Sequence, residues 1–291
     1  MAIERIHVDD TFAGLAINAP RRLLKPGRER EALEMLRESV PSITPGTDQV
    51  VLTLTNQQRR YFASDLMRPA PRAPQSDDRR ERTRFGLLHL AIACSLGTPF
   101  GIEDQQFGVL AQDVFPLKRH NGKKNTGLGS QQRFGFHTDQ ASNPDTDEIP
   151  DIVILGCYKN GERAKTLVVS LADVLAELDA ETIDILRSPV FTFVRGSDPT
   201  KNPVPILTQK GSGITARLSA GTHTPYASRE SSALLSLFSA CKHVATDIIL
   251  EPGEFLAFVN GVSPHGREAF KPARNPSERR FLQRTFINER V

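Results

Sequence analysis

The chain has 291 residues, 38% of them hydrophobic, which is enough to bury a full core in one large domain. Lys and Arg number 37 against 34 Asp and Glu, and a formal charge of +3 is too slight to argue for nucleic acid or a membrane surface as partner. Three cysteines, far apart and in no CxxC spacing, argue against a disulfide framework and fit a reducing cytoplasm; the N-terminus lacks the apolar core of a signal peptide, and no apolar run reaches membrane length.

In chain order, residues 26–40 carry Pro near their start and Leu33, Leu36 and Val40 on one face, which predicts an amphipathic helix. A strand is expected over 48–56. Residues 68–82 are Pro-rich, charged and aperiodic, the pattern of a mobile surface loop or linker. A mostly apolar helix over 84–96 stops at Gly97 and Pro99, and 107–116 is a strand candidate ending at proline. Residues 120–132 are rich in Gly, Asn and Lys, but they lack the order of a phosphate-binding loop and no strong helix follows.

Two apolar extended segments, 150–159 and 164–171, flank Asn160-Gly161, which predicts a tight hairpin between them. Short helices are expected over 171–178 and 180–188, and a longer one over 228–244. Residues 247–260 read as two strands around Pro252-Gly253, and 279–288 as a final strand. Short strands and turns flanked by helices predict a mainly β protein, a sandwich or jelly roll with helices outside.

Within 131–144, His137-Thr138-Asp139 places a histidine and an acid one residue apart. Alternate residues of a strand share a face, so the pair is half of a metal site or nothing at all. Of the other histidines, His89 and His243 lie on helices and read as packed or surface side chains. His7 has nothing beside it to suggest chemistry, while His120 and His223 lie in loops where they could approach a substrate. His265 follows an apolar strand between Pro264 and Gly266, which hold the backbone so that the ring can be aimed into a cavity. Two imidazoles and a carboxylate cover one face of an octahedral ion and leave three positions open, the facial triad of non-haem Fe(II) oxygenases. Taken alone, scattered polar residues are an equal reading.

A second feature is independent of the first. Arg280 and Arg284, four apart in the last strand, point to one side while Phe281 opposes them, and two guanidinium forks facing one cavity ask for carboxylates. An exposed basic edge strand is the bland alternative.

The order HTD, "PDIVILGCYK", "AKTLVV", "EPGEFLAFVNGVSPHGREAF" and "RRFLQRTF" resembles the 2-oxoglutarate- and Fe(II)-dependent oxygenases of the clavaminate synthase type, within the taurine dioxygenase group, over roughly residues 85–291. The resemblance implies a distorted double-stranded β-helix, a jelly-roll, cupin-like fold. It places the iron ligands at His137, Asp139 and His265, and the contacts to the distal carboxylate of 2-oxoglutarate at Arg280 and Thr166. Arg284, Gln112 and Ser130 fall where relatives contact a substrate amino acid. Fe(II), 2-oxoglutarate and O2 are the implied cofactor and co-substrates. The carboxylate at position 139 argues for hydroxylation, although desaturation or ring closure can use the same triad.

The chain also departs from its relatives. Residues 216–226 hold no carboxylate to pair with a cationic side chain, and 140–150 carry several acids and no aromatic residue. The expected substrate is a free amino acid, or a metabolite derived from one, with a neutral or acidic side chain. The expected organisation is a single domain over 1–291, with 1–83 packed on a jelly-roll core at 84–291, as a cytoplasmic monomer or homodimer with no nucleic-acid or membrane partner. A jelly-roll protein that binds metal without 2-oxoglutarate would leave Arg280, Arg284 and Thr166 without a shared task.

Overall fold

Helix formation in this chain is fixed largely at its N-caps. Thr83 accepts from the Gly86 amide and opens a helix over Arg84–Leu96 in which Phe85 to Ser95 are all buried. Thr55 and Gln58 form a reciprocal capping box at the start of Asn56–Leu66. A computed structural model describes residues 3–41, 47–120, 122, 128–142, 148–195, 198–199, 203–219, 222–223 and 228–289. The helices are α1 (Asp10–Asn18), α2 (Glu29–Ser39), α3 (Asn56–Leu66), α4 (Arg84–Leu96), α5 (Leu171–Ala176), α6 (Ala180–Arg187) and α7 (Arg229–Val244). The strands are β1 (Glu4–His7), β2 (Gln49–Thr53), β3 (Thr98–Phe100), β4 (Ala111–Val114), β5 (Phe134–His137), β6 (Ile152–Lys159), β7 (Thr166–Val168), β8 (Thr192–Arg195), β9 (Asp198–Pro199), β10 (Leu207–Lys210), β11 (Gly213–Ala216), β12 (Thr222–His223), β13 (Thr246–Ile248), β14 (Glu254–Val259), β15 (His265–Arg267) and β16 (Phe281–Asn288).

A seven-stranded sheet runs β1-β2-β14-β6-β16-β3, with β4 also paired to β16, and a four-stranded sheet runs β13-β7-β15-β5. Apolar residues between the two sheets, among them Leu155, Leu256, Phe258, Leu282, Val168 and Ile248, form the inner core. The outer face of the large sheet packs Phe255, Tyr158 and Phe281 against α1, α2 and α4. The helices α5 to α7 form a third cluster with Phe136, Leu167 and Phe193. Two facing sheets with helices outside agree with the jelly-roll expectation. Cys94, Cys157 and Cys241 are buried and in no disulfide. Among the described residues, no helix is long and apolar enough to cross a membrane.

Four local expectations are corrected. β6 and β7 do not form a hairpin: β6 pairs with β14 and β16, while β7 pairs with β13 and β15, so Asn160-Gly161 carries the chain from one sheet to the other. Asn160 is buried and fastens the crossing through Ala164 and Leu250, and a side chain at Gly161 would meet the Glu278 carbonyl at 2.5 Å. The Pro252-Gly253 turn makes the same kind of crossing between β13 and β14, with Gly253 at φ 85°.

The strand expected over 107–116 shrinks to Ala111–Val114, because Gln106 and Phe107 turn through positive φ. The helices α1 and α3 were not foreseen, and the cap of α3 cuts short the strand expected over 48–56. Residues 68–82 are not wholly a surface loop. Arg80 is buried, donates to the Ala111 carbonyl and forms an ion pair with the Asp113 carboxylate, and buried Arg82 pairs with Asp77. A charge in the interior persists only when paired, since losing a partner leaves the other ion desolvated. Asp113→Ala is therefore expected to cost about 3–5 kcal/mol in chemical denaturation, whereas Asp78→Ala, whose Arg79 contact is exposed, is expected to change stability by less than about 0.5 kcal/mol.

Candidate metal centre and cavity

The register of β5 and β15 places His265 directly opposite His137, with ring centroids 4.3 Å apart. Asp139 lies two residues beyond His137, just past the end of β5. The ligand atoms of His137, Asp139 and His265 all fall within 4.8 Å of one another. His137 Nδ1 donates to the Gly135 carbonyl at 2.9 Å and His265 Nδ1 to the Ser263 carbonyl at 3.3 Å, so in the neutral rings each Nε2 keeps its lone pair. Burial, with His265 beside it, pushes His137 down to about 3 and holds that ring neutral.

Asp139 is fixed at several points. Its amide donates to Asn260 Oδ1 at 2.8 Å, and Asn260 Nδ2 donates to the carbonyls of Asp139 and Pro150. Thr138 is tied to Leu218 by two further hydrogen bonds. Arg284 Nη1 donates to Asp139 Oδ1 at 2.6 Å, leaving Oδ2 buried and without a hydrogen-bond partner, 3.3 Å from His265 Nε2. Burial alone would raise the Asp139 carboxyl, but Arg284 and the His265 ring hold it below the usual carboxylate range. Asp139 Oδ2 and His265 Nε2 thus face each other 3.3 Å apart, beside the His137 ring. That arrangement suits a cation.

The trio opens on a cavity of about 420 Å³ that is also lined by Thr166, Arg280, Arg284 and Gln112. Thr166 is buried on β7. Arg280 is buried one residue before β16 begins rather than within it, its amide donating to Glu162 Oε2 at 2.7 Å, and burial pushes its guanidinium down to about 10. Arg284 Nη2 donates to Gln112 Oε1 at 2.6 Å and Gln105 Oε1 at 3.2 Å. Ser130 does not line the cavity. It is fully buried behind Arg267, its carbonyl accepting from Arg267 Nη1 and the Phe270 amide.

The remaining histidines stand apart from the trio. His89 is buried in α4 with its Nε2 2.9 Å from Thr285 Oγ1, and burial pushes it down to about 3. His7 and His243 are exposed, His120 ends a short turn, and the side chain of His223 lies outside the described residues. So do residues 143–147 and most of 220–227, on which the expected departures from relatives fall. A larger cavity, about 970 Å³, lies behind β4 and β16 and contains none of the expected site residues.

Several neighbours of the site were missed. Arg267 could have been found, because it stands two residues from His265 on β15 and alternate residues of a strand share a face. Gln105 and Asp104 come from a turn with no regular period, and Asn260 in "VNGV" reads as a turn residue. Asp104 borders the cavity, so an acid is present there even though none was found in 216–226.

The taurine catabolism dioxygenase TauD, TfdA family matches residues 75–286. The chain is 30% identical to an L-asparagine oxygenase of Streptomyces coelicolor over 75% of its own length and 66% of that enzyme's. It is 27% identical to an L-lysine 3-hydroxylase of Catenulispora acidiphila over 66% of its own length and 55% of that enzyme's. A solved structure of asparagine oxygenase with Fe(II), 2S,3S-3-hydroxyasparagine and succinate superposes with a TM-score of 0.75, covering 98% of this chain and 93% of that one at 26% identity.

Asn260 holds the backbone on which Asp139 stands, so Asn260→Ala is expected to weaken divalent metal binding about 10–100-fold, by titration with Mn(II) or Zn(II), while the far-ultraviolet circular dichroism stays unchanged.

Proposed function

Because the chain belongs to the taurine catabolism dioxygenase TauD, TfdA family, we propose that it is an Fe(II)- and 2-oxoglutarate-dependent dioxygenase that hydroxylates an unactivated C–H bond of a free amino acid or amino-acid-derived metabolite. The overall change is substrate, 2-oxoglutarate and O2 to hydroxylated substrate, succinate and CO2. One observation carries the reading. Among the described residues, His137, Asp139 and His265 are the one group of metal-ligating side chains, and they open on the cavity that holds Arg280.

The residues fit the ion. Two imidazoles, each with Nδ1 committed to a carbonyl, present Nε2 and the carboxylate presents an unpartnered Oδ2, a donor set that suits Fe(II) and leaves open positions for small oxygen ligands. Iron bound there, with 2-oxoglutarate and O2, supplies the oxidising chemistry. The chain's own side chains bind, orient and exclude water. His137, Asp139 and His265 would hold the metal. Arg280 and Thr166 would hold the distal carboxylate of 2-oxoglutarate.

Arg284 has two tasks in this reading. Its hydrogen bond to Asp139 Oδ1 keeps that carboxylate turned with Oδ2 toward the metal, and its fork, steadied by Gln112 and Gln105, presents positive charge to a substrate carboxylate. Three arginines against two carboxylates line the cavity, a balance that favours occupants bearing carboxylates. Gln112, whose Nε2 has no hydrogen-bond partner, offers a donor for a neutral polar side chain. Leu155, Leu282, Leu128 and Val114 line the cavity and keep it dry around the C–H bond to be attacked. Ser130 acts through its backbone in this arrangement, at the wall behind Arg267.

Anaerobic addition of Fe(II) and 2-oxoglutarate is expected to give a weak visible absorption band that is absent in His265→Ala and Arg280→Ala. No band in the wild-type protein would sink the reading. A screen of free amino acids for succinate formation above a no-substrate control then identifies the substrate.

A further inference from the structure

Two of the cavity's arginines lack acid partners. Arg267 and Arg280 are both buried, both line the cavity, and each has a buried Nε with no hydrogen-bond partner. Among the described residues neither forms an ion pair. The cavity's Asp139 is already held by Arg284, and Glu162 takes only the amide of Arg280. Two like charges buried close to one another repel, and burial disfavours each of them further. Such a pair persists where something of opposite charge completes it.

Arg267 is also well placed by the backbone. On β15 it stands directly opposite Thr166 of β7, so the two side chains share one face of the small sheet. Its Nη1 donates to the carbonyls of Ser130 and Glu268 and its Nη2 to the carbonyl of Gln132, and its guanidinium lies 5.0 Å over the Phe270 ring. These contacts hold the fork rigidly with neutral carbonyls, and the Glu268 carboxylate, which pairs with Arg133, acts on it only through space.

We propose that Arg267 is a second cationic positioning residue for the distal carboxylate of 2-oxoglutarate, acting with Arg280 and Thr166 to select a dicarboxylic 2-oxo acid over a monocarboxylic one. The inference rests on the functional reading above. It places the selecting charge on the strand that carries His265, so co-substrate choice and metal position share one backbone.

The test is calorimetric binding of two probes to the Zn(II)-loaded protein, which does not turn over. The probes are 2-oxoglutarate and 2-oxobutanoate, which keeps the chelating end and lacks the far carboxylate. Arg267→Gln is expected to weaken 2-oxoglutarate binding about tenfold or more, the scale of one buried charge-assisted hydrogen bond, and to leave 2-oxobutanoate unchanged. Unchanged 2-oxoglutarate binding, or equal weakening of both probes, would overturn the assignment, because a merely structural arginine moves both. Arg267→Lys keeps the charge but not the fork that lies over Phe270, and is expected to retain a preference for 2-oxoglutarate greater than that of Arg267→Gln and below that of wild type. Loss of the preference in this variant, or failure of both variants to fold, also overturns it. If the wild-type protein binds no 2-oxoglutarate, the functional reading itself fails; if wild type binds it and Arg267→Gln binds it equally well, only this inference does.

Discussion

His265 stands opposite His137 across the antiparallel pair of β5 and β15, and this one register decides what the rest of the cavity has to supply. Opposed residues on one face of a sheet are near neighbours by construction, so the two rings meet without a loop having to aim them. Each ring then orients itself, its Nδ1–H committed to the carbonyl two residues back in its own segment. A slip of one residue in either strand would turn one ring to the far face. Asp139 has no such support. It lies past the end of β5, and its position is secured by Asn260, Thr138 and Arg284 instead.

The second constraint is electrostatic. The cavity collects three arginines and two carboxylates in a partly apolar enclosure, where an unpaired charge costs several kcal/mol after relaxation. The ion pair of Arg284 with Asp139 is also an orienting device, since it takes one carboxylate oxygen and leaves the other. Among the described residues Arg267 and Arg280 form no ion pair, and Glu268 and Glu162 act on them only through space.

Much of this could be read from the sequence, for a physical reason. The two histidines lie on short strands as expected, but Asp139 and Arg280 stand just outside β5 and β16, and it is the order of motifs in the family resemblance that singles the four out. The helices α4 and α7 follow from their apolar pattern and caps. The crossing at Asn160-Gly161 was misread because a turn signal fixes a change of direction but not which sheet receives the next strand. That choice belongs to long-range pairing of β6 with β14 and β16. Asn260 and Gln105 could not be singled out, because a buried amide that fastens a backbone has the same letter as one that makes an exposed turn.

The period of two also explains the Pro/Arg-rich segment, which matched no motif. On β4, Gln112 faces the cavity and Asp113 faces the back, while on β16 Arg284 faces the cavity and Gln283 the back. Arg80, brought in by that segment, pairs with Asp113 from behind, and Gln283 Nε2 donates to the same carboxylate at 3.3 Å. Both strands are therefore pinned on their rear faces, one residue away from the two side chains that meet in front. Gln112 can then hold Arg284, and Arg284 can hold Asp139. What composition alone suggests is a tether is, at its Arg80 end, a buried ionic anchor behind the carboxylate that would complete the metal site.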